Sequence, residues 1–307
     1  MSEATGRHGR LVAANAALGL TILLWSSQFA GVAELLELWG PFELGVLRFM
    51  AAMPLFGAAL LWERLRGVPP PAVAAPWRLW LLGPIGVAMF NLCFVFGVRH
   101  AGSIGAAIAS SITPVVAMLI MWLGFRQRPR PGVGWAVALA IAGGLIASLG
   151  NPKSGAGGIQ GLGEFLMLLG GGIWTWYSAA AQSWLKGWTQ LRIAAMTLIP
   201  GSSFLLLLYG GAVAAGEVAF PPAMPSLWHI CVLIYLAAGP TFTGIIGWNY
   251  GVKFVGVTVA SIYLNLMPVV AVLIAAVAGS VPSWEQLAGG AIVLAGVVYS
   301  QMRRNTS

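Results

Sequence analysis

Apolar residues run along the chain in blocks of about twenty, and charges, prolines and glycines collect in the short stretches between them. The blocks fall at residues 11–30, 42–62, 79–98, 103–125, 133–149, 162–184, 191–214, 227–250, 255–277 and 285–302. A helix that crosses the hydrocarbon core of a bilayer needs about 20 apolar residues, so each block predicts one spanning helix. The longest linker, 150–161, is rich in glycine and lies near the middle. It divides the chain into 1–150 and 151–307, five blocks each.

Composition narrows the class to membrane proteins. Apolar residues make up 59% of the 307 and charged residues only 8%, against roughly 25% charged in a soluble domain. A water-soluble protein of this size would need a charged surface that the chain cannot supply. Arg7 and Arg10 precede the first block and small residues follow it, as in a cleaved leader. With nine further blocks behind it, the first reads as a retained span.

The net charge of +8 would suit a nucleic-acid binder, but its placement says otherwise. With the N-terminus in the cytoplasm, thirteen basic residues fall on the inner side: Arg7, Arg10, Arg64, Arg66, Arg78, Arg126, Arg128, Arg130, Lys186, Arg192, Lys253, Arg303 and Arg304. Only Arg99 and Lys153 fall outside, and Arg48 sits within a span. This is the bias that orients membrane proteins. It places both termini in the cytoplasm, and no nucleic-acid partner is expected. Cys93 and Cys231 lie in apolar blocks and read as small packing residues.

The two halves also repeat. Offset by 154 residues, Gly97-Val98-Arg99 meets Gly251-Val252-Lys253, Gly102 meets Gly256, and Pro114 to Ala117 meets Pro268 to Ala271. Eleven of 24 positions are identical without a gap. Five spans per half make the second half enter the membrane in the opposite sense. Inverted repeats are the signature of alternating-access transporters, whose site lies near the midplane where the repeats meet. The expected architecture is therefore an all-α membrane protein of ten transmembrane helices, two inverted five-helix repeats around a central cavity.

The chain resembles the drug/metabolite transporter superfamily, in particular ten-helix exporters with two EamA-type repeats, amino-acid exporters of the aromatic type among them. The resemblance rests on Trp25-Ser26-Ser27-Gln28-Phe29, Leu47-Arg48-Phe49, Asn91 with Gly97, and Pro114-Val115 in the first half. In the second it rests on Gly163-Glu164 with Trp174 and Tyr177, Trp248 to Gly251, and Asn265 to Val269. It implies a cavity lined by spans 1, 3, 4, 6, 8 and 9, with spans 5 and 10 as scaffold. Many members carry an acidic residue just after spans 4 and 9, where this chain has Arg126-Gln127 and Gly279-Ser280.

Candidate substrate-binding residues are the mid-span aromatics Trp25, Trp174, Trp176, Tyr177, Trp248, Tyr250 and Tyr263, with the amides Gln28, Asn91, Asn249 and Asn265. Such a wall suits apolar or aromatic solutes and can hold an ammonium by cation–π attraction. Pro114 and Pro268, matched in the two halves, are expected to kink spans 4 and 9 as hinges. Arg48 is expected to reach outward to the interface or to pair with Glu43 or Glu164. The chain has no Asp, and none of its eight Glu lies at a span centre. An obvious proton carrier is thus missing, which points to uncoupled facilitated diffusion.

No His/Glu metal spacing, Ser/His pair or Asp pair lies within the spans, so neither a metal, a cofactor nor enzyme chemistry is expected. A small multidrug exporter would want a carboxylate in the first span, and a nucleotide-sugar carrier would want basic residues deep in the cavity. The alternatives to an amino-acid exporter are a multidrug transporter or one for another metabolite, a nucleotide-sugar or a lipid, and, from another class, an intramembrane enzyme. The expected setting is the bacterial inner membrane, with a small metabolite and lipids as partners, in a monomer or weak dimer.

Overall fold

A computed structural model of the chain describes residues 2–69, 71, 75–110, 112–126, 161–220 and 222–277, with scattered positions between 135 and 146 and between 279 and 295. The expected spans 133–149 and 285–302 and the linker between the halves lie largely outside the described residues. Within them the chain is all helix, with no strand. The order is α1 (Ser2–Leu35), α2 (Pro41–Leu65), α3 (Pro76–Leu81), a π-helical stretch (Leu82–Met89), α4 (Phe90–Ser110) and α5 (Thr113–Phe125). Then come α6 (Leu162–Trp184), α7 (Gln190–Ala214), α8 (Leu227–Leu236), a second π-helical stretch (Ala237–Gly244) and α9 (Ile245–Val255). The last described elements are α10 (Val257–Tyr263), a single 3₁₀ turn (Leu264–Leu266) and α11 (Met267–Val277).

Among the described residues five helical stretches are long and apolar enough to cross a membrane: Gly9–Leu35, Pro41–Leu65, Pro76–Ser110, Gln190–Ala214 and Leu227–Val255. At 1.5 Å per residue a 25-residue helix rises roughly 37 Å, more than the hydrocarbon core. Leu61, Leu65, Leu207 and Leu273 stand on the outer faces with most of their surface uncovered. In water such faces would drive aggregation; against lipid tails they lose nothing.

Local chemistry explains where the helices start and stop. Pro41 and Pro76 open α2 and α3, where a missing N–H costs nothing. The Thr189 hydroxyl accepts the Arg192 N–H at 3.1 Å and starts α7. Gly102 interrupts α4 with φ 70° and ψ 172°, a conformation open to glycine alone. It separates the third and fourth expected spans. Gly256, at φ 83° and ψ 157°, ends α9 in the same way.

Pro114 is not the interior kink expected for span 4. The break precedes it, at Ile112, and the proline is in the first turn of the helix that restarts at Thr113. There its lack of an N–H is harmless. Pro268 is likewise the second residue of α11. The side chains of both prolines, and that of Asn265, lie outside the described set. The interior prolines that do alter a helix are Pro84 and Pro240, each within a π-helical stretch. Proline removes the donor of an i→i−4 bond, and local widening to i→i+5 is one way for a helix to absorb that loss.

The packing crosses between the halves. α6 lies along α4, and α9 lies along α1. α7 packs on the stretch Leu82–Met89, while α2 packs on Ala237–Gly244. Glycines permit these approaches: a Cβ at Gly83 would fall 2.6 Å from the Thr197 carbonyl oxygen and 2.7 Å from the Gly201 nitrogen. Small residues at crossings are what helix association in lipid requires. At one end, Arg192 Nε pairs with Glu63 at 2.8 Å and ties the start of α7 to the end of α2.

Candidate functional site

The second π-helical stretch sets the site. Widening a helix turn frees a carbonyl from the backbone ladder. Here the Trp25 indole N–H donates to the Pro240 carbonyl at 3.0 Å, and the Thr21 hydroxyl donates to that of Gly244 at 3.3 Å. α1 is thereby fastened to the far half of the chain. The indole of Trp25 is held edge-on to Trp174 of α6, with ring centroids 5.4 Å apart.

These rings wall a cavity of about 60 Å³ between the helices. Trp25, Gln28, Phe94, Trp174 and Thr241 line it, and so does Arg48. Pockets for small molecules usually run from about 300 to 1,000 Å³, so this cavity is contracted. It holds a few water molecules' worth of space, not a metabolite.

Arg48 departs from both expectations. It neither reaches the interface nor pairs with Glu43 or Glu164. It is 3% exposed, and among the described residues no carboxylate lies within ion-pair distance of it. Its guanidinium donates to the Gln28 side-chain oxygen at 3.4 Å and to that of Asn91. The rings of Phe49 and Phe94 flank it at 5.1 and 5.5 Å. Among the described residues its Nε has no partner. Burying an ion costs several kcal/mol. Hydrogen bonds to a charged group return about 1.5–3 kcal/mol each, and a cation–π contact about 0.5–2. The guanidinium is solvated by neutral groups, with its charge uncompensated. The signal for this lay in Gln28 and Asn91, two carboxamides on neighbouring spans with an arginine between them in sequence.

Below the cavity the aromatic layer continues. Trp248 of α9 packs on Trp25 at 5.2 Å and Trp174 at 6.4 Å, and its indole N–H donates to the Ser178 hydroxyl at 2.9 Å. Beyond this layer lies a vestibule of about 530 Å³, lined by Gln182, Ser183, Lys186, Gln190 and Lys253 among others. Position along α6 gives the order: Trp174 in the cavity wall, Ser178 one turn on, Gln182 in the vestibule. At the opposite end two indoles tie loops together. Trp39 donates to the Ala223 carbonyl at 2.8 Å and Trp228 to the Glu34 carboxylate at 2.9 Å.

The other candidates separate. Trp25, Gln28 and Trp174 line the cavity, and Asn91 reaches it through Arg48. Tyr177 is buried beside Trp174, its hydroxyl 2.9 Å from that of Thr197. Asn249 is buried near the vestibule, and its carbonyl accepts from Gln182 at 3.4 Å. Trp176 turns away toward Trp184, Tyr250 packs on Phe254, and Tyr263 donates to the Asn15 side chain at 2.9 Å. Among the described residues no group of His, Cys, Asp or Glu is arranged to hold a metal ion.

Comparison with known proteins decides the class. The EamA-like transporter family matches the chain twice, over residues 14–149 and again over 161–301. The chain belongs to this family. Its EamA relatives include an uncharacterized transporter of Archaeoglobus fulgidus, 25% identical over 94% of this chain and 97% of the relative. A probable terminal-alkyne amino-acid exporter of Streptantibioticus cattleyicolor is 27% identical over 94% and 93% of the two chains. The uncharacterized inner membrane transporter YedA of Escherichia coli is 27% identical over 92% and 89%. One solved structure superposes with a TM-score of 0.66 at 21% identity, covering 96% of this chain and 99% of that one. The EamA chain is a membrane transporter.

Proposed function

We propose that this transporter exports small metabolites, amino acids foremost, by alternating access between two inverted five-helix repeats, 1–150 and 151–307, with both termini in the cytoplasm. The observation that carries the reading is the contracted aromatic cavity and the separate wide vestibule, with the packed rings of Trp25, Trp174 and Trp248 beside them. A solute path interrupted at mid-membrane is what alternation requires. The repeat is supported by matched backbone features: left-handed glycines at 102 and 256, and helix restarts at Thr113 and Met267, each 154 apart. The vestibule opens beside Lys186 and Lys253, which the charge bias puts on the cytoplasmic side. Amino acids are favoured by the aromatic wall and by the exporter from Streptantibioticus cattleyicolor.

Among the described residues no Asp or Glu lines the cavity, which favours facilitated diffusion over proton coupling. The test is flux of a labelled amino-acid panel in proteoliposomes, with and without a pH gradient. Saturable flux that ignores the gradient and falls at least tenfold in Trp174→Ala or Asn249→Ala is expected. Flux no greater than that of empty liposomes for every amino acid would remove the substrate class. A rate that follows the gradient would remove the uncoupled mechanism.

A further inference from the structure

We propose that Arg48 is the anion receptor of the central cavity, and that the transported solute must carry a carboxylate. This rests on the transport reading above and names the chemistry of its site. Three observations converge on the guanidinium. It lines the cavity itself. It is 97% shielded, yet no carboxylate among the described residues neutralises it. Its Nε finds no acceptor among the described residues, while its other nitrogens donate to the neutral oxygens of Gln28 and Asn91.

An arginine that served only to clamp α1, α2 and the α4 segment together would be satisfied by its carboxamides and would not need to face open space. A charge left uncompensated in a low-dielectric cavity is instead a standing attraction for an anion, and the planar guanidinium fork fits a carboxylate two oxygens at a time. The rings of Phe49 and Phe94 stand 5.1 and 5.5 Å from the guanidinium, within cation–π range. Trp25 and Trp174, which line the same cavity, then receive the rest of the solute. Because no acidic group among the described residues lines the cavity, an amino group on the solute meets only neutral partners there, the rings of Trp25 and Trp174, the Gln28 carboxamide and the hydroxyls of Ser110, Thr113 and Thr241. The carboxylate is the recognised feature and the ammonium is tolerated. Lys186 and Lys253 at the vestibule give the approach the same sign of charge.

The experiment is competition against labelled L-phenylalanine uptake in proteoliposomes by 3-phenylpropionate, which lacks the ammonium, and by phenylalaninamide, which lacks the carboxylate. For the unaltered protein, 3-phenylpropionate is expected to compete within about tenfold of phenylalanine, and phenylalaninamide to be at least a hundredfold weaker. In Arg48→Gln that preference for the acid is expected to collapse to within about tenfold, and Arg48→Lys to restore part of it. A purely structural arginine would lower all fluxes together and leave the ratio between acid and amide alone. Thermal stability and monodispersity of the variants in detergent separate misfolding from lost recognition. Should Arg48→Gln fail to fold, the comparison of acid with amide in the unaltered protein still decides. Phenylalaninamide competing as well as phenylalanine overturns the proposal while leaving amino-acid transport standing. If phenylalanine is not carried at all, the two corresponding analogues of whichever amino acid of the panel is carried, one without the ammonium and one without the carboxylate, take their place. No flux of any amino acid overturns both readings.

Discussion

Trp248 joins two requirements in one side chain. Its ring fills the layer between cavity and vestibule, and its N–H is anchored 2.9 Å from the Ser178 hydroxyl. Ser178 itself donates to the Trp174 carbonyl one turn back. Trp248→Phe keeps an aromatic in place and removes the anchor. A buried hydrogen bond is worth about 1 kcal/mol, so the thermal midpoint should fall only slightly. The barrier to opening the layer should fall with it, and exchange of labelled substrate across proteoliposome membranes should speed up several-fold. An exchange rate at or below the unaltered one, in a protein that remains folded, would mean that the layer is packing and not a gate. Residue types with few uses in lipid are the legible ones: of the mid-span tryptophans and carboxamides, Trp25, Trp174 and Gln28 stand in the cavity lining. Arg48 is not legible in the same way, because depth in a span says how far a side chain must reach for water but not whether neighbouring helices offer it polar partners. Trp176 shows the other blind spot. Two residues from Trp174, it faces away from the cavity, a rotation about the helix that clustering in sequence does not resolve.

Elements carry the twofold pattern more legibly than residues do. The 154-residue offset read from identities reappears in backbone form: the positive-φ glycines at 102 and 256 and the restarts at Thr113 and Met267. The π-helical stretches begin at Leu82 and Ala237, 155 apart. These stretches were invisible to hydropathy, since an apolar run does not report which carbonyl an N–H selects. The available sign was a Gly-Pro pair in each, Gly83-Pro84 and Gly239-Pro240. The glycine turns are open to a direct test. A side chain in that region of φ and ψ costs about 1–3 kcal/mol. Gly102→Ala and Gly256→Ala should each lower the thermal midpoint measurably, and the pair together by about the sum, as distant sites do. Gly19→Ala, a helical position where a Cβ would meet nothing within 4 Å, serves as the neutral control. Equal midpoints for all three would show that the turns relax without strain.

For the whole molecule the decisive asymmetry is between its two ends. One end opens as a vestibule of about 530 Å³, and the other is tied by the Trp39–Ala223 and Trp228–Glu34 hydrogen bonds. Two halves that interlock, α2 on the second π-helical stretch and α7 on the first, can rock about a shared middle only if one end closes as the other opens. Thiol labelling tests this after Cys93 and Cys231 have been replaced. Ser183→Cys reports on the vestibule and Thr241→Cys on the cavity. With the vestibule cytoplasmic, a membrane-impermeant thiol reagent should modify Ser183→Cys in inside-out vesicles and spare it in right-side-out ones. Thr241→Cys should react slowly from either face, because the aromatic layer and the tied loops each yield only part of the time. Substrate that holds the layer closed should slow it further. Reaction of Ser183→Cys from the outside would reverse the orientation drawn from the basic residues. Reaction of Thr241→Cys from one face alone, with substrate present or absent, would describe a blind cavity, and the two halves would then have to be doing something other than exchanging places.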